Sequence, residues 1–252
     1  IKNKHSENGT LVFTPFGIHA QIFSKQGCYF IDPVFNTSDR YYQCYYVKDY
    51  EPLPGSQTGS CKTLETPPYT AWKQAPRMVS GLCTGSVLRN YRIAIACTGE
   101  YAKAATGLQN PTLAQALSKI AISLTRVNGV YEMEASIRMQ LVPTESLIVF
   151  TNPATDPFTG NSNANILIGE SQSVISSSIG SANFDIGHTF STGGGGLAAL
   201  GCVCYNPAKA SGITGSGNPV GDPFDIDYVA HEIGHQFGGD HTFNANTGSC
   251  NG

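Results

Sequence analysis

Charge is scarce in this chain: of 252 residues only 13% are Asp, Glu, Lys or Arg, and the formal net charge is −3. Without a basic excess there is no electrostatic footprint for phosphates, which argues against nucleic acid as a partner. No apolar run approaches the roughly 20 residues needed to span a bilayer, so no membrane span is expected. The shortage of charge does not signal disorder, because hydrophobic residues make up 40% of the chain and Gly, Ser, Thr and Asn supply the polar surface. This length allows one or two domains with a sizeable core. Cysteine is neither absent nor abundant. The eight, Cys28, Cys44, Cys61, Cys83, Cys97, Cys202, Cys204 and Cys250, are too few for a disulfide scaffold and many for a cytosolic chain. They favour an exported protein carrying disulfides of undetermined pairing. The chain opens at Ile1 with no charged segment followed by an apolar one, so any signal peptide is expected to have been removed already.

Organisation changes along the chain. Over residues 11–50, short apolar runs (LVF, HAQIF, CYFID, YYQCYYV) alternate with turn residues such as Pro15, Gly17, Gly27 and Pro33, the pattern of an antiparallel β-meander. Residues 51–90 are rich in Pro, Gly, Ser and Thr and read as an extended connector. Beyond them the pattern turns to α/β. Strands are expected at 91–96, 137–142, 146–151 and 184–190. A helix is expected from Asn110-Pro111 through Leu113, Leu117, Ile120, Leu124 and Val127, and a shorter one at 171–178. Cys202 and Cys204 would alternate on a strand and so not pair with each other.

The most informative segment is H-E-I-G-H-Q-F-G-G-D-H, from His231 to His241. On a helix, His231 and His235 leave the same face one turn apart and can share one ion at about 2.0–2.1 Å. Val229, Ile233 and Phe237 repeat on the opposite side, where a helix needs core contacts. Asp225 or Asp227 could cap its start, and Gly238 or Gly239 would turn the chain back and bring His241 to the ion. Three imidazoles leave a fourth position for water, which zinc acidifies, and Glu232 beside it is placed to act as general base in peptide hydrolysis. Chance produces this full spacing in a chain of this length on the order of once in a hundred thousand. A structural zinc site is the rival, but such sites are closed by a fourth protein ligand and favour Cys.

The string H-E-x-x-H-x-x-G-x-x-H resembles the zinc signature of the metzincin metalloproteases. With FDIDYVAHEIGHQFGGDHTFN at 224–244, YRIAIACTGEYA at 91–102 and FDIGHTFSTGGGGLAALGCVC at 184–204, it resembles their secreted bacterial reprolysin (adamalysin-like) branch over residues 91–252. The resemblance implies a mixed α/β (α+β) catalytic domain at 91–252, zinc held by His231, His235 and His241, a catalytic Glu232, and a protein or peptide substrate. It also implies a methionine-containing turn after the third histidine. The three methionines, Met78, Met133 and Met139, all lie upstream, so the chain is expected to be a fragment or a truncated form lacking that turn and the C-terminal helix.

Residues 1–50 and the connector 51–90 resemble a prosegment, making the protein a zymogen inhibited by its own N-terminal part. Such prosegments can seat a thiolate on the zinc. Cys61 and Cys83 are the candidates, with disulfide pairing as the alternative for both. Leu88-Arg89-Asn90 is a candidate processing site. The stretch Gly195, Gly196, Leu197 and Ala198 would correspond to the edge strand along which a substrate pairs, or equally to a flexible loop entering an ordinary strand. His188 reads as a packed strand histidine rather than a ligand. His5 and His19 read as surface or structural. Asp156 and Asp240 could bind calcium or cap turns, and calcium is not otherwise indicated. The other class of function is a non-catalytic module in which zinc stabilises a recognition or adhesion domain. Glu232 separates the two, because such a module needs no carboxylate beside its first ligand.

Overall fold

A computed structural model describes residues 7–35, 38–49, 61–68, 85–193 and 195–241. The expected meander forms as four antiparallel strands, β1 (Asn8–Thr14), β2 (Gly17–Ser24), β3 (Gly27–Phe35) and β4 (Ser38–Tyr46), in the order β1-β2-β3-β4. Gly17 and Gly27, both at positive φ, start the second and third strands. A left-handed backbone there lets the two hairpins close without a Cβ clash.

The second sheet has six strands and mixed direction. Its order is β5-β9-β10-β8-β6-β7, with β5 (Cys61–Leu64), β6 (Arg89–Cys97), β7 (Ile137–Leu141), β8 (Ile186–Ser191), β9 (Gly196–Ala199) and β10 (Gly212–Gly215). Only β9 and β10 pair antiparallel. The central β6 shows why the sheet is buried on both sides. Ile93, Ile95 and Cys97 point into one apolar cluster, and Ala94 and Ala96 point into the other. Helices α1 (Gly99–Thr106) and α2 (Leu113–Glu134) cover the first face. Helix α3 (Ala164–Ile179) covers the second through Leu167, Ile168, Ile175 and Ile179. None of the described helices is long and apolar enough to cross a membrane.

Several boundaries differ from the sequence reading. Helix α2 starts after Thr112, which forms a capping box with Gln115, so Asn110 and Pro111 only lead into it. No strand forms at 146–151. Glu145 turns inward, its Oε1 accepts from the Ile95 amide at 2.7 Å, and a 3-10 turn follows, leaving a single bridge from Val149 to Cys97. Helix α3 extends well beyond 171–178 because Asn163 caps it early. Cys202 and Cys204 lie in a turn and not on a strand, with Cys204 at φ 64. Cys28, Cys44, Cys61, Cys97, Cys202 and Cys204 are free thiols, so the expected disulfides are not found among the described residues. Cys83, Cys250 and Met78 lie outside them, as does His5. The connector is not wholly extended coil, since its residues Cys61–Leu64 form β5 and Arg89 and Asn90 open β6. The candidate processing site therefore lies partly inside a paired strand, with Arg89 opposite Ile137.

Candidate metal centre and cleft

The last helix runs through α4 (Asp222–Phe224), a π-helical stretch (Asp225–Ala230) and α5 (His231–Gln236). Asp225 and Asp227 are thus inside it and cap nothing. Asp225 is buried, accepting from Ser123 Oγ at 2.5 Å and from Arg126 Nη1 at 2.8 Å. A π-helical turn just before a pair of chemically reactive residues is a usual place for such irregularity. Val229 and Ile233 are fully buried and Phe237 packs beside them, as the apolar periodicity required. Gly238, at φ 99, is the residue that ends the helix and turns the chain back.

That turn brings His241 to the pair on the helix. The ring nitrogens of His231, His235 and His241 and the sulfur of Cys61 all lie within 4.8 Å of one another. Cys61 Sγ is 3.3 Å from Nε2 of His231 and 3.3 Å from Nε2 of His235, and those two nitrogens are 3.0 Å apart. A tetrahedral zinc with bonds near 2.0–2.1 Å to nitrogen and 2.3 Å to sulfur separates its donors by about 3.3–3.6 Å, so the donor set is almost at ligand spacing. His235 Nδ1 meets the Gly239 carbonyl at 2.5 Å. A carbonyl can only accept, so Nδ1 carries the proton and the Nε2 lone pair faces the cluster. Burial, followed by the neighbouring His241, depresses the pKa of His231, and burial likewise depresses that of His235. Both are thereby kept in the neutral form that metal binding needs.

Glu232 is fully buried, and neither carboxylate oxygen has a well-formed hydrogen bond among the described residues. Burial pushes its carboxyl up to about 8, partly opposed by the nearby Cys61 thiol. The Cys61 thiol is in turn pushed up by burial and by Glu232. Neutral imidazoles and a thiol at ligand spacing, beside a buried carboxyl whose oxygens lack a well-formed hydrogen bond, are a donor set that fits zinc.

Of the two candidate thiols, the structure brings Cys61 to the histidines; Cys83 lies outside the described residues. Cys61 arrives on β5, which pairs in parallel with β9 from Cys61↔Gly196 to Leu64↔Ala199. Gly196, Leu197 and Ala198 are therefore strand rather than loop, with Gly195 at φ 79 leading in. The free edge of β9 is covered, and Thr66 extends the cover by donating its hydroxyl to the Leu200 carbonyl at 2.6 Å. Gly196 also makes room: a Cβ there would stand 1.9 Å from Glu232 Oε1 and 2.6 Å from the Tyr228 ring. An open cavity of about 470 Å³ lies elsewhere, between the meander and α2.

His188 proves to be a packed histidine. Gln236 Nε2 donates to the Gly187 carbonyl, so its Oε1 accepts from His188 Nδ1 at 2.8 Å, and His188 Nε2 accepts from Thr214. Burial lowers His188 to about 4 and keeps it neutral. His19 is structural, bonded to Asp32. Asp156 caps turns by accepting from the amides of Gly99 and Phe158, and Asp240 accepts from the His241 amide. Gln236, Arg126 and the Gly239 carbonyl were not singled out by sequence. A glutamine inside the histidine motif and an arginine on an apolar helix face were the only available hints.

A mixed sheet covered on both faces, with two histidines on the last helix and a third returned to them by the turn after it, is the arrangement of a metallopeptidase catalytic domain. Residues 117–242 match the family described as Metallo-peptidase family M12B Reprolysin-like, and the chain belongs to that family of zinc-dependent peptidases. A comparison with curated proteins finds no match.

Proposed function

We propose that the protein is an exported zinc endopeptidase in its latent form, with residues before about Tyr91 acting as inhibitor. His231, His235 and His241 would hold the metal, and Cys61 would close its fourth position. The observation that carries this reading is the Cys61 sulfur 3.3 Å from two of the three histidines, delivered by a strand lying on the β9 edge. When bound, zinc supplies Lewis acidity toward water and the scissile carbonyl.

The remaining work falls to the chain. Once β5 leaves, the amides and carbonyls of β9 are free to pair with an extended peptide and set its register. Glu232 accepts the proton of the attacking water on its carboxylate and passes it to the departing amine. Latency needs no separate lid, because one segment takes both the metal position and the substrate edge.

Glu232→Ala should leave zinc content unchanged and lower peptide hydrolysis by at least about a hundredfold. Cys61→Ser should raise the basal rate. In cobalt-substituted protein it should also abolish the sulfur-to-metal charge-transfer absorption. Unchanged hydrolysis in Glu232→Ala would overturn the assigned mechanism, and a persisting sulfur band in Cys61→Ser would overturn the assigned switch.

A further inference from the structure

The meander packs on α2 through a buried contact built from charge. Arg126, on α2 and only 4% exposed, sends Nη2 to both oxygens of Asp32 on β3 at 2.6 Å and Nη1 to Asp225 Oδ2 at 2.8 Å. Asp32 is held on its other sides by His19 Nδ1 and Tyr45 Oη, each at 2.8 Å. Aromatic rings of the meander cover the cations: Phe30 lies 4.7 Å from the Arg126 guanidinium carbon, and Phe16 lies 4.1 Å from Lys119 Nζ. One arginine thus bridges a carboxylate of the N-terminal sheet and a carboxylate in the π-helical turn that leads into His231.

We propose that Arg126 is the receptor for the N-terminal sheet, holding it on the catalytic domain through Asp32 independently of Cys61. The proposal rests on reading the N-terminal part as a prosegment. Breaking a buried, hydrogen-bonded ion pair on one side leaves an uncompensated charge, which is why so small a contact can dominate the seam. Cutting the connector then does not by itself free the sheet. Release needs Asp32 to leave Arg126, whose remaining partner is Asp225 on the active-site helix.

The test uses the full zinc-loaded chain with a site-specific protease sequence inserted between residues 54 and 55, so that after cutting Cys61 stays with the catalytic part. Co-elution of the two pieces is followed by gel filtration at falling concentration, and peptide hydrolysis is measured separately. The wild-type and Cys61→Ser pieces are expected to stay together. Asp32→Asn is expected to weaken the association at least about tenfold, and Tyr45→Phe, which removes one hydrogen bond from Asp32 and leaves its charge, by less. Should Asp32→Asn not fold, Tyr45→Phe decides. Separation of the wild-type pieces at once, or retention by the variants as tight as wild type, overturns the proposal. Retention together with a Cys61→Ser protein that gains no activity would instead overturn the prosegment reading and leave the anchor standing.

Discussion

At residue 196 glycine sets where Glu232 can sit, because any β-carbon would occupy the space of its carboxylate. Gly196→Ala is therefore expected to displace Glu232, with kcat falling at least about tenfold and zinc content unchanged, checked by steady-state kinetics and metal analysis. Gln236 carries a comparable duty for stability. Gln236→Leu leaves the buried His188 Nδ1 and the Gly187 carbonyl without partners. The cost is about 3 kcal/mol. In calorimetry this is expected as a fall in Tm of about 6–12 °C. The histidines and Glu232 were legible in sequence because their spacing maps directly onto one helical face. Gln236 was not, because its worth comes from a strand 48 residues away.

Among the elements, the meander and the last helix are joined through a carboxylate whose ionisation can be followed. Burial alone would raise the Asp32 carboxyl, but the His19 hydrogen bond, the Arg126 guanidinium and the Tyr45 hydroxyl outweigh it and hold it at about 2. Asp222, facing the same cluster, is raised to about 6 by burial, then by Asp227, and Asp225 is raised by burial against Arg126. Since the unfolded carboxyl titrates near 3.9, the Asp32 contribution is complete above about pH 4 and is lost as pH falls toward 2. The stability difference between wild type and Asp32→Asn, from urea midpoints, is expected to be constant from pH 7 to 4 and to shrink below it. A difference unchanged at pH 2 would contradict this. Strand and helix types were readable from periodicity, but the strand expected at 146–151 was not. There a buried hydrogen bond from the Ile95 amide to Glu145 draws the chain into a turn that no local pattern announces.

For the molecule as a whole, Glu145 sets a pH dependence of the opposite sign. Burial raises its carboxyl from 4.5 to about 8, with the Ile95 amide opposing. The uncharged form suits the fold, so its contribution is full below about pH 4.5 and is lost progressively as pH rises to about 8. Glu145→Gln should remove that slope, and denaturant titrations of both proteins across pH 4.5 to 8 would expose a failure as two parallel curves. The N-terminal meander, the α/β character beyond it and the three-histidine motif were all determined by the sequence itself, because period-two and period-3.6 patterns and fixed ligand offsets are local properties of the chain. Tertiary structure alone decided which cysteine meets the histidines, which edge β5 covers and which arginine holds the meander. Each is a meeting of residues about 90 to 170 positions apart, selected by shape, burial and charge compensation across the fold, and none of these leaves a trace in local spacing.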